Sequence, residues 1–337
     1  MDDLPIAGTS EDLVMEFIAE LRQQFPIKHL GALEHFLGIH VKRNRTLGTL
    51  SLSQENFVDN ILTKFDMFEC SPISTPLTVP CKLSFEDSPH TTEESYFMKN
   101  IPYRQVLGSI RYLVSCTRPD LSFATGYLSR FMENPGVNHW KALKRVLRYL
   151  KYTRDMEPTY TSYSKAQHTN IQAWLSTPLH GWTDADWGGT RIPLDPPLAM
   201  YSYLQVVAFH GEQRNKLMSP SLPQSEAESI TATLTTKEGL WLKSIIDELA
   251  ILKISEFKLW CDNQSCIKIT KDPKITEQNK HIRARHHFIS ELLEEYNLSI
   301  RHTSTQEMSA DFLTKPVPNA KHWNCCYHIG LSIHPNR

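Results

Sequence analysis

From residue 178 onward the sequence alternates short apolar runs with longer stretches of helical period, and no other feature constrains the fold as much. The short runs lie around Trp182, at Tyr201 to Phe209, at Phe257 to Cys261 and at Leu298 to His302. The helical stretches are Ser225 to Leu252, Asn263 to Thr270 and about Ile282 to Tyr296, where Phe288, Leu292 and Tyr296 keep a period of four. Alternation of this kind predicts helices layered on a sheet. Between Thr190 and Gln224 there are five prolines and poor alternation, so a single strand with irregular chain around it is expected there.

Upstream the pattern changes. Ser10 reads as the N-cap of a helix with Glu11 and Asp12 in its first turn and Leu13, Phe17, Ile18 and Leu21 on one face. Phe36 to Val41 and Thr49 to Leu52 read as two strands around a turn at Leu47-Gly48. A second helix starts at Ser53, with Phe57, Ile61, Leu62 and Phe65 as its stripe, and the Pro-, Ser- and Thr-rich stretch from Ser71 to about Asn100 reads as a linker. Residues 102–152 are helical, with Leu107, Ile110, Leu113 and Val114 on one face and a break at Thr117-Arg118-Pro119-Asp120. In the helix from Asn138 to Lys151 the residue types separate. Trp140, Leu143, Leu147 and Leu150 recur at helical spacing, while Lys141, Lys144, Arg145, Arg148 and Lys151 crowd the other faces. A basic face beside aromatics suits a phosphate backbone, and it equally suits a solvated helix surface.

At 337 residues the chain has enough length for two or three domains, each with its own core. Charged residues at 22% and hydrophobic ones at 40% are globular composition, and a net charge of -1 leaves any attraction for nucleic acid to local patches. No apolar run reaches the length that spans a bilayer, and Met1-Asp2-Asp3-Leu4 is acidic and lacks a signal-peptide pattern. An intracellular protein is expected, cytoplasmic by default with the nucleus as the alternative. The seven cysteines show no zinc-type pairing, so reduced thiols are expected; Cys325-Cys326 between His322 and His328 reads as a structural tail rather than a chelate.

Four acidic positions stand apart. Asp184 lies in Trp182-Thr183-Asp184-Ala185-Asp186-Trp187, at the end of an apolar segment. Glu228 opens a helical pattern in Gln224-Ser225-Glu226-Ala227-Glu228, Asp262 follows the strand-like Leu259-Trp260-Cys261, and Asp311 opens a short helix in Ser309-Ala310-Asp311-Phe312-Leu313. Carboxylates at strand ends and helix starts are what a pair of divalent cations needs to hold a phosphodiester. The plainer readings are N-caps for Asp262 and Asp311 and a solvated first-turn acid for Glu228.

Phrases in a fixed order carry a resemblance. They are Asp2-Asp3-Leu4 with Ile6-Ala7-Gly8, Phe36-Leu37-Gly38-Ile39, Ser74-Thr75-Pro76-Leu77, Leu107-Gly108-Ser109-Ile110-Arg111-Tyr112-Leu113 and Thr117-Arg118-Pro119-Asp120. Further on come Arg145-Val146-Leu147-Arg148-Tyr149-Leu150-Lys151, Cys261-Asp262-Asn263-Gln264-Ser265, Lys280-His281-Ile282 and Ala310-Asp311-Phe312-Leu313-Thr314-Lys315. With these the chain resembles the C-terminal part of the polyprotein of copia-type LTR retrotransposons, from the end of the reverse transcriptase through the ribonuclease H domain.

The resemblance implies an α/β and α+β multidomain chain. Its parts are a reverse-transcriptase palm remnant and thumb over 1–80, a linker over 81–100 and a helical connection over 101–175. A ribonuclease H-like domain over 176–318, a mixed sheet with helices on both faces, and a tail over 319–337 complete it. It also implies that Asp184, Glu228, Asp262 and Asp311 are the four acids of the ribonuclease H site. Asp184 is preferred over Asp186 because the family's ligand directly follows the strand, and Glu228 over Glu226 because Ile230 and Leu234 follow it. They would hold two Mg²⁺ ions that help generate the attacking hydroxide and stabilise the leaving 3′ oxygen of RNA in an RNA–DNA hybrid. Asn263 and Gln264 would hydrogen-bond the backbone or 2′-hydroxyls.

Asp2 and Asp3 look like the end of the polymerase Tyr-x-Asp-Asp turn, whose tyrosine is absent here. Polymerisation therefore needs carboxylates from other parts of a Pol polyprotein and is not expected from this chain alone. The family's loop histidine after the last strand has no counterpart in position, since His302 falls within the strand-like run; no role is assigned to it or to His281, His286 and His287. The family's hairpin over 190–224 is replaced by Pro193-Leu194-Asp195-Pro196-Pro197 and Gln213-Arg214-Asn215-Lys216-Leu217, which predicts a damaged strand. Two functions follow: metal-dependent cleavage of RNA in hybrids, or a catalytically dead or repurposed remnant that at most binds nucleic acid.

Overall fold

The computed structural model describes residues 3–161, 179–185, 198–204, 207–214, 224–249, 254, 256–271 and 297–333. Helix α1 (Glu11–Gln24) starts at Ser10, whose Oγ accepts the Leu13 N–H at 3.3 Å, as a serine N-cap should. Of its apolar residues Ile18 is buried, while Leu13, Met15 and Phe17 stay exposed. Strands β1 (His35–Phe36), β2 (Ile39–Asn44) and β3 (Thr49–Ser53) then form an antiparallel meander. The expected single strand from Phe36 to Val41 is broken. Leu37 and Gly38 take φ of 48° and 72°, and this pair of left-handed residues turns the chain back on itself.

Helix α2 (Glu55–Lys64) leads into the stretch expected to be a linker, which is instead structured. A 3₁₀ turn (Phe85–Asp87) and helix α3 (Thr92–Lys99) form there because Ser84 and Thr91 each cap a following N–H. The Tyr127 hydroxyl accepts from the Leu83 N–H at 3.0 Å and donates to its carbonyl at 2.9 Å, and Leu77 and Met98 are buried. Helices α4 (Tyr103–Cys116), α5 (Ser122–Ser129) and α6 (Val137–Tyr152) close over α2 into the largest apolar core. Leu107, Ile110 and Leu113 of α4 and Leu143, Leu147 and Leu150 of α6 are fully buried there. Each such side chain contributes about 1.5–3 kcal/mol relative to an exposed one.

Among the described residues two five-stranded sheets result. The first has the order β1-β2-β3-β4-β10, with β4 (Glu157–Thr161) antiparallel to β3 and β10 (Leu331–Ser332) antiparallel to β4. The second contains β5 (Leu179–Ala185), β6 (Leu198–Leu204), β7 (Val207–Arg214), β8 (Phe257–Cys261) and β9 (Leu298–His302), in the order β7-β6-β5-β8-β9. Pairs β7-β6 and β6-β5 are antiparallel and pairs β5-β8 and β8-β9 parallel, so the sheet is mixed. Helices α7 (Gln224–Glu248) and α8 (Gln264–Lys271) connect its strands, and Leu179, Ala232, Leu242, Phe257, Leu259 and Ile300 form its core. The helix expected at Ile282 to Tyr296 lies outside the described residues.

The expectation of a single strand between 190 and 224 is overturned by β6 and β7, which pair antiparallel from Leu198↔Arg214 to Leu204↔Val207 with a register shift between Ser202 and Tyr203. Proline bars only the ladder positions it occupies. Residues 193, 196 and 197 precede β6 and residues 220 and 223 follow β7, so none of the five enters the ladder. Residues 319–333, within the stretch expected as a tail, form a helix and a short strand. Helix α9 (Asp311–Thr314) is followed by α10 (Asn319–His328), where His322, Cys325 and Cys326 are buried at i, i+3 and i+4 with Ile329 at i+7. None of the seven cysteines forms a disulfide. Cys325 faces the Met308 carbonyl at 3.9 Å and His328 Nδ1 faces Ser309 Oγ at 3.0 Å, so the Cys-His run serves packing. Among the described residues no helix is long and apolar enough to cross a membrane.

Candidate active site

The parallel register of β5 and β8 sets Thr183 opposite Cys261. The next residue on each strand is an aspartate, so Asp184 and Asp262 emerge side by side at the carboxyl ends of adjacent parallel strands. That is where ligands bind in sheets of this type. Asp311 arrives from the other side, as the first residue of α9. One ligand oxygen from each of Asp184, Asp262 and Asp311 lies within 4.8 Å of the others, and this is the one such acidic, histidine or cysteine group among the described residues.

The plainer readings of two acids are excluded. Asn263 caps α8, its Oδ1 accepting from Ser265 N at 2.9 Å and Cys266 N at 3.0 Å, which leaves the Asp262 carboxylate to accept from Thr305 Oγ1 at 3.1 Å. Asp311 caps nothing: Oδ1 lies 2.8 Å from Lys315 Nζ and Oδ2 contacts Lys321 Nζ. Lys315 Nζ is also 3.9 Å from Asp184 Oδ2, and Thr314 Oγ1 donates to that oxygen at 2.5 Å. Asp184 and Asp311 are 3% and 0% exposed, so their charges are desolvated as well as crowded. Burial pushes the Asp184 carboxyl up to about 7, Asp311 and Asp262 push it the same way, and Lys315 and Thr314 pull against them.

A cluster of carboxylate oxygens is a hard donor set, which suits Mg²⁺ or Mn²⁺ and does not suit soft metals. The two ammonium groups drawn onto it show that the spot attracts cations. Glu228 lies on α7, and its side chain is outside the described residues. Asp2 is outside them too, and Asp3 is exposed. His302 ends β9 exposed to solvent, and His281, His286 and His287 are not among the described residues. Thr305, Thr314, Lys315 and Lys321 escaped the sequence reading. The four-residue spacing of Asp311 and Lys315 is a usable signal, whereas Thr305 reaches the cluster from the turn after β9 and Lys321 from α10, and neither carries one. Thr305 and Lys321 also line an open groove with Gln306, Ala320 and Asn324.

On α6 the basic residues divide. Arg145 donates to Thr75 Oγ1 at 2.8 Å, Arg148 donates to the Ser71 carbonyl at 2.7 Å, and Lys151 reaches the Phe68 carbonyl. These three tie down residues 68–75. Lys141 is exposed, and Lys144 sits over the Trp140 ring at 5.8 Å from its centroid. Gln264 is exposed, while Asn263 has its carbonyl oxygen committed to the cap.

The family described as reverse transcriptase (RNA-dependent DNA polymerase) matches residues 1–79. The chain is similar to the retrovirus-related Pol polyprotein from transposon TNT 1-94 of Nicotiana tabacum, 37% identical over 335 residues, which are 98% of this chain and 24% of that one. It is also similar to the retrovirus-related Pol polyprotein from transposon RE1 of Arabidopsis thaliana, 32% identical over 337 residues, 99% of this chain and 21% of that one. The chain thus spans less than a quarter of the length of these curated relatives. Among solved structures, a foamy viral protease-reverse transcriptase in complex with double-stranded DNA shares 14% identity at a TM-score of 0.35, over 64% of this chain and 35% of that chain.

Proposed function

Because the chain belongs to the family of retrovirus-related Pol polyproteins from transposons, we propose that it is the C-terminal reverse transcriptase and ribonuclease H part of a copia-type element and that it cleaves RNA in RNA–DNA hybrids. The observation that carries this reading is the meeting of Asp184, Asp262 and Asp311 from three separate elements. With Glu228 they would hold two Mg²⁺ ions. Bound there, divalent ions supply Lewis-acid polarisation of the phosphodiester and of the attacking water.

The surrounding residues do the positioning. Thr314 fixes the Asp184 carboxylate and Thr305 fixes that of Asp262, the kind of support that keeps metal ligands in one geometry. The groove beside them offers Thr305, Gln306 and Asn324 for 2′-hydroxyls and Lys321 for phosphate. Exposed Lys141 and Gln264, with half-buried Lys144, would add contacts to the duplex. Residues 1–80 would be the palm remnant and thumb, 101–175 the connection and 176–318 the ribonuclease H-like domain. Polymerisation would belong to a longer protein that supplies carboxylates to join Asp2 and Asp3. The rest of such a Pol polyprotein would cover Leu13, Met15 and Phe17, which α1 leaves exposed. On this reading the chain acts inside the cell.

The test is an RNA–DNA hybrid incubated with the protein and Mg²⁺, beside an Asp262→Asn variant. Cleavage by the wild type and its loss in the variant are expected. Equal, background-level cleavage by both overturns the nuclease reading and leaves the remnant that at most binds nucleic acid.

A further inference from the structure

We propose that Lys315 and Lys321 are resident counter-ions of the aspartate cluster, which hold it assembled without metal and set how tightly a divalent cation binds. The assignment presupposes the metal site proposed above. Asp311 is fully buried, and each of its oxygens carries an ammonium group: Oδ1 that of Lys315 at 2.8 Å, Oδ2 that of Lys321. Lys315 Nζ stands 3.9 Å from Asp184 Oδ2 as well, so it lies between two of the three carboxylates. A divalent cation held by both Asp184 and Asp311 would have to take the place of that ammonium.

Lys321 extends the network. It donates to the Thr305 carbonyl at 2.5 Å, and the Thr305 hydroxyl holds Asp262 at 3.1 Å, so all three aspartates are tied to one another through these two lysines and two threonines. Three carboxylates packed this closely repel one another unless a positive charge lies among them. The lysines supply it from flexible stems, which is a different use from that of a rigid guanidinium fork. Their side chains are 35% and 20% exposed, while that of Asp311 is 1% exposed. The ammonium groups therefore have a way out to solvent, and the carboxylate does not. Lys315 is only four residues from Asp311, so it returns at high effective concentration whenever the cation leaves.

This gives each lysine two effects of opposite sign on the protein. Removing it weakens the metal-free fold and strengthens metal binding. A lysine of merely structural value would weaken both, and an idle surface lysine would change neither. The full chain and its Lys315→Met, Lys321→Met and Lys315→Arg variants can be titrated with Mn²⁺ by the electron paramagnetic resonance of the free ion. Thermal melts in EDTA and in Mg²⁺ complete the set. Lys315→Met is expected to bind Mn²⁺ about tenfold more tightly than wild type, to melt lower in EDTA, and to recover in Mg²⁺. Lys315→Arg keeps the charge and should bind Mn²⁺ more nearly as the wild type does. Should Lys315→Met not fold, Lys321→Met gives the same readout. Unchanged or weaker Mn²⁺ affinity in folded methionine variants overturns the assignment while leaving the metal site intact. If neither the wild type nor any variant binds Mn²⁺, the metal site itself is refuted and the assignment with it.

Discussion

Tyr149 and His322, 173 residues apart in sequence, meet at 2.8 Å between Oη and Nε2 in the buried interior. Tyr149 gives its own proton to Asp120 Oδ2 at 2.8 Å, so the imidazole supplies the proton of the second bond. Asp120 is gripped by Arg118 through both carboxylate oxygens, at 2.9 Å and 2.8 Å, and Arg118 also donates to the Thr153 carbonyl at 3.0 Å. This chain of polar groups fastens α10 to α6 and to the break after α4.

Burial pushes His322 down to about 4, with Asp120 pulling upward and Arg118 reinforcing the fall. The unfolded imidazole titrates near about 6.5. Between those values the unfolded chain takes a proton that the folded one refuses, so stability falls as pH drops from about 6.5 to about 4. The full span is worth about 3 kcal/mol. Urea unfolding at about pH 7.5 and about pH 4.5 should show that loss in the wild type and a smaller one in His322→Gln.

Asp184 titrates in the opposite sense. Its folded value, raised to about 7 first by burial, lies above the unfolded one, so its contribution to stability is present at low pH and lost as pH rises through about 7. Asp184→Asn removes the charge and keeps an acceptor for Thr314. In EDTA the variant should melt above wild type at about pH 8 and close to it at about pH 4, while hybrid cleavage disappears. A lower melting temperature at the higher pH would contradict the raised value.

Gly239 of α7 sits where a Cβ would meet the ring of the buried Phe257 at 2.4 Å. Alanine gains about 1 kcal/mol of helix propensity over glycine, and overpacking costs about 1–3 kcal/mol. The cost wins, so Gly239→Ala should lower the urea midpoint, and Phe257→Leu in the same chain should restore part of it.

On α6 the arginines and lysines should separate experimentally. Arg145→Ala and Arg148→Ala release the anchors of residues 68–75 and should speed limited proteolysis there. Lys141→Ala and Lys144→Ala should leave proteolysis alone. If these lysines meet phosphates, each variant lowers the salt dependence of hybrid binding by about one phosphate contact.

Local pattern made much of this legible. The runs Phe257 to Cys261 and Leu298 to His302 are the strands β8 and β9 to the residue, because Phe257, Leu259 and Cys261, then Leu298 and Ile300, recur at the two-residue period of a strand. The hairpin of β6 and β7 was hidden by prolines that only flank it. Helix α10 was hidden because histidine and cysteines form its buried stripe, and those residues do not announce a core. At the site, sequence order pointed to Asp184, Asp262 and Asp311, but the lysines and threonines that hold them could be seen only in space. Thr305 and Lys321 lie 43 and 10 residues from the aspartates they touch, on elements of different type.

Strand β10 covers β4 in the first sheet, yet the whole second sheet is encoded between them. On a ribosome β4 therefore emerges with one flank bare and waits on the order of ten seconds for Leu331 and Ser332 to follow. For that interval the nascent polypeptide carries an open hydrogen-bonding edge, and a stalled or nicked product lacking α10 and β10 keeps it for good. Such shortened products should be the ones that stick to one another or are taken up by chaperones.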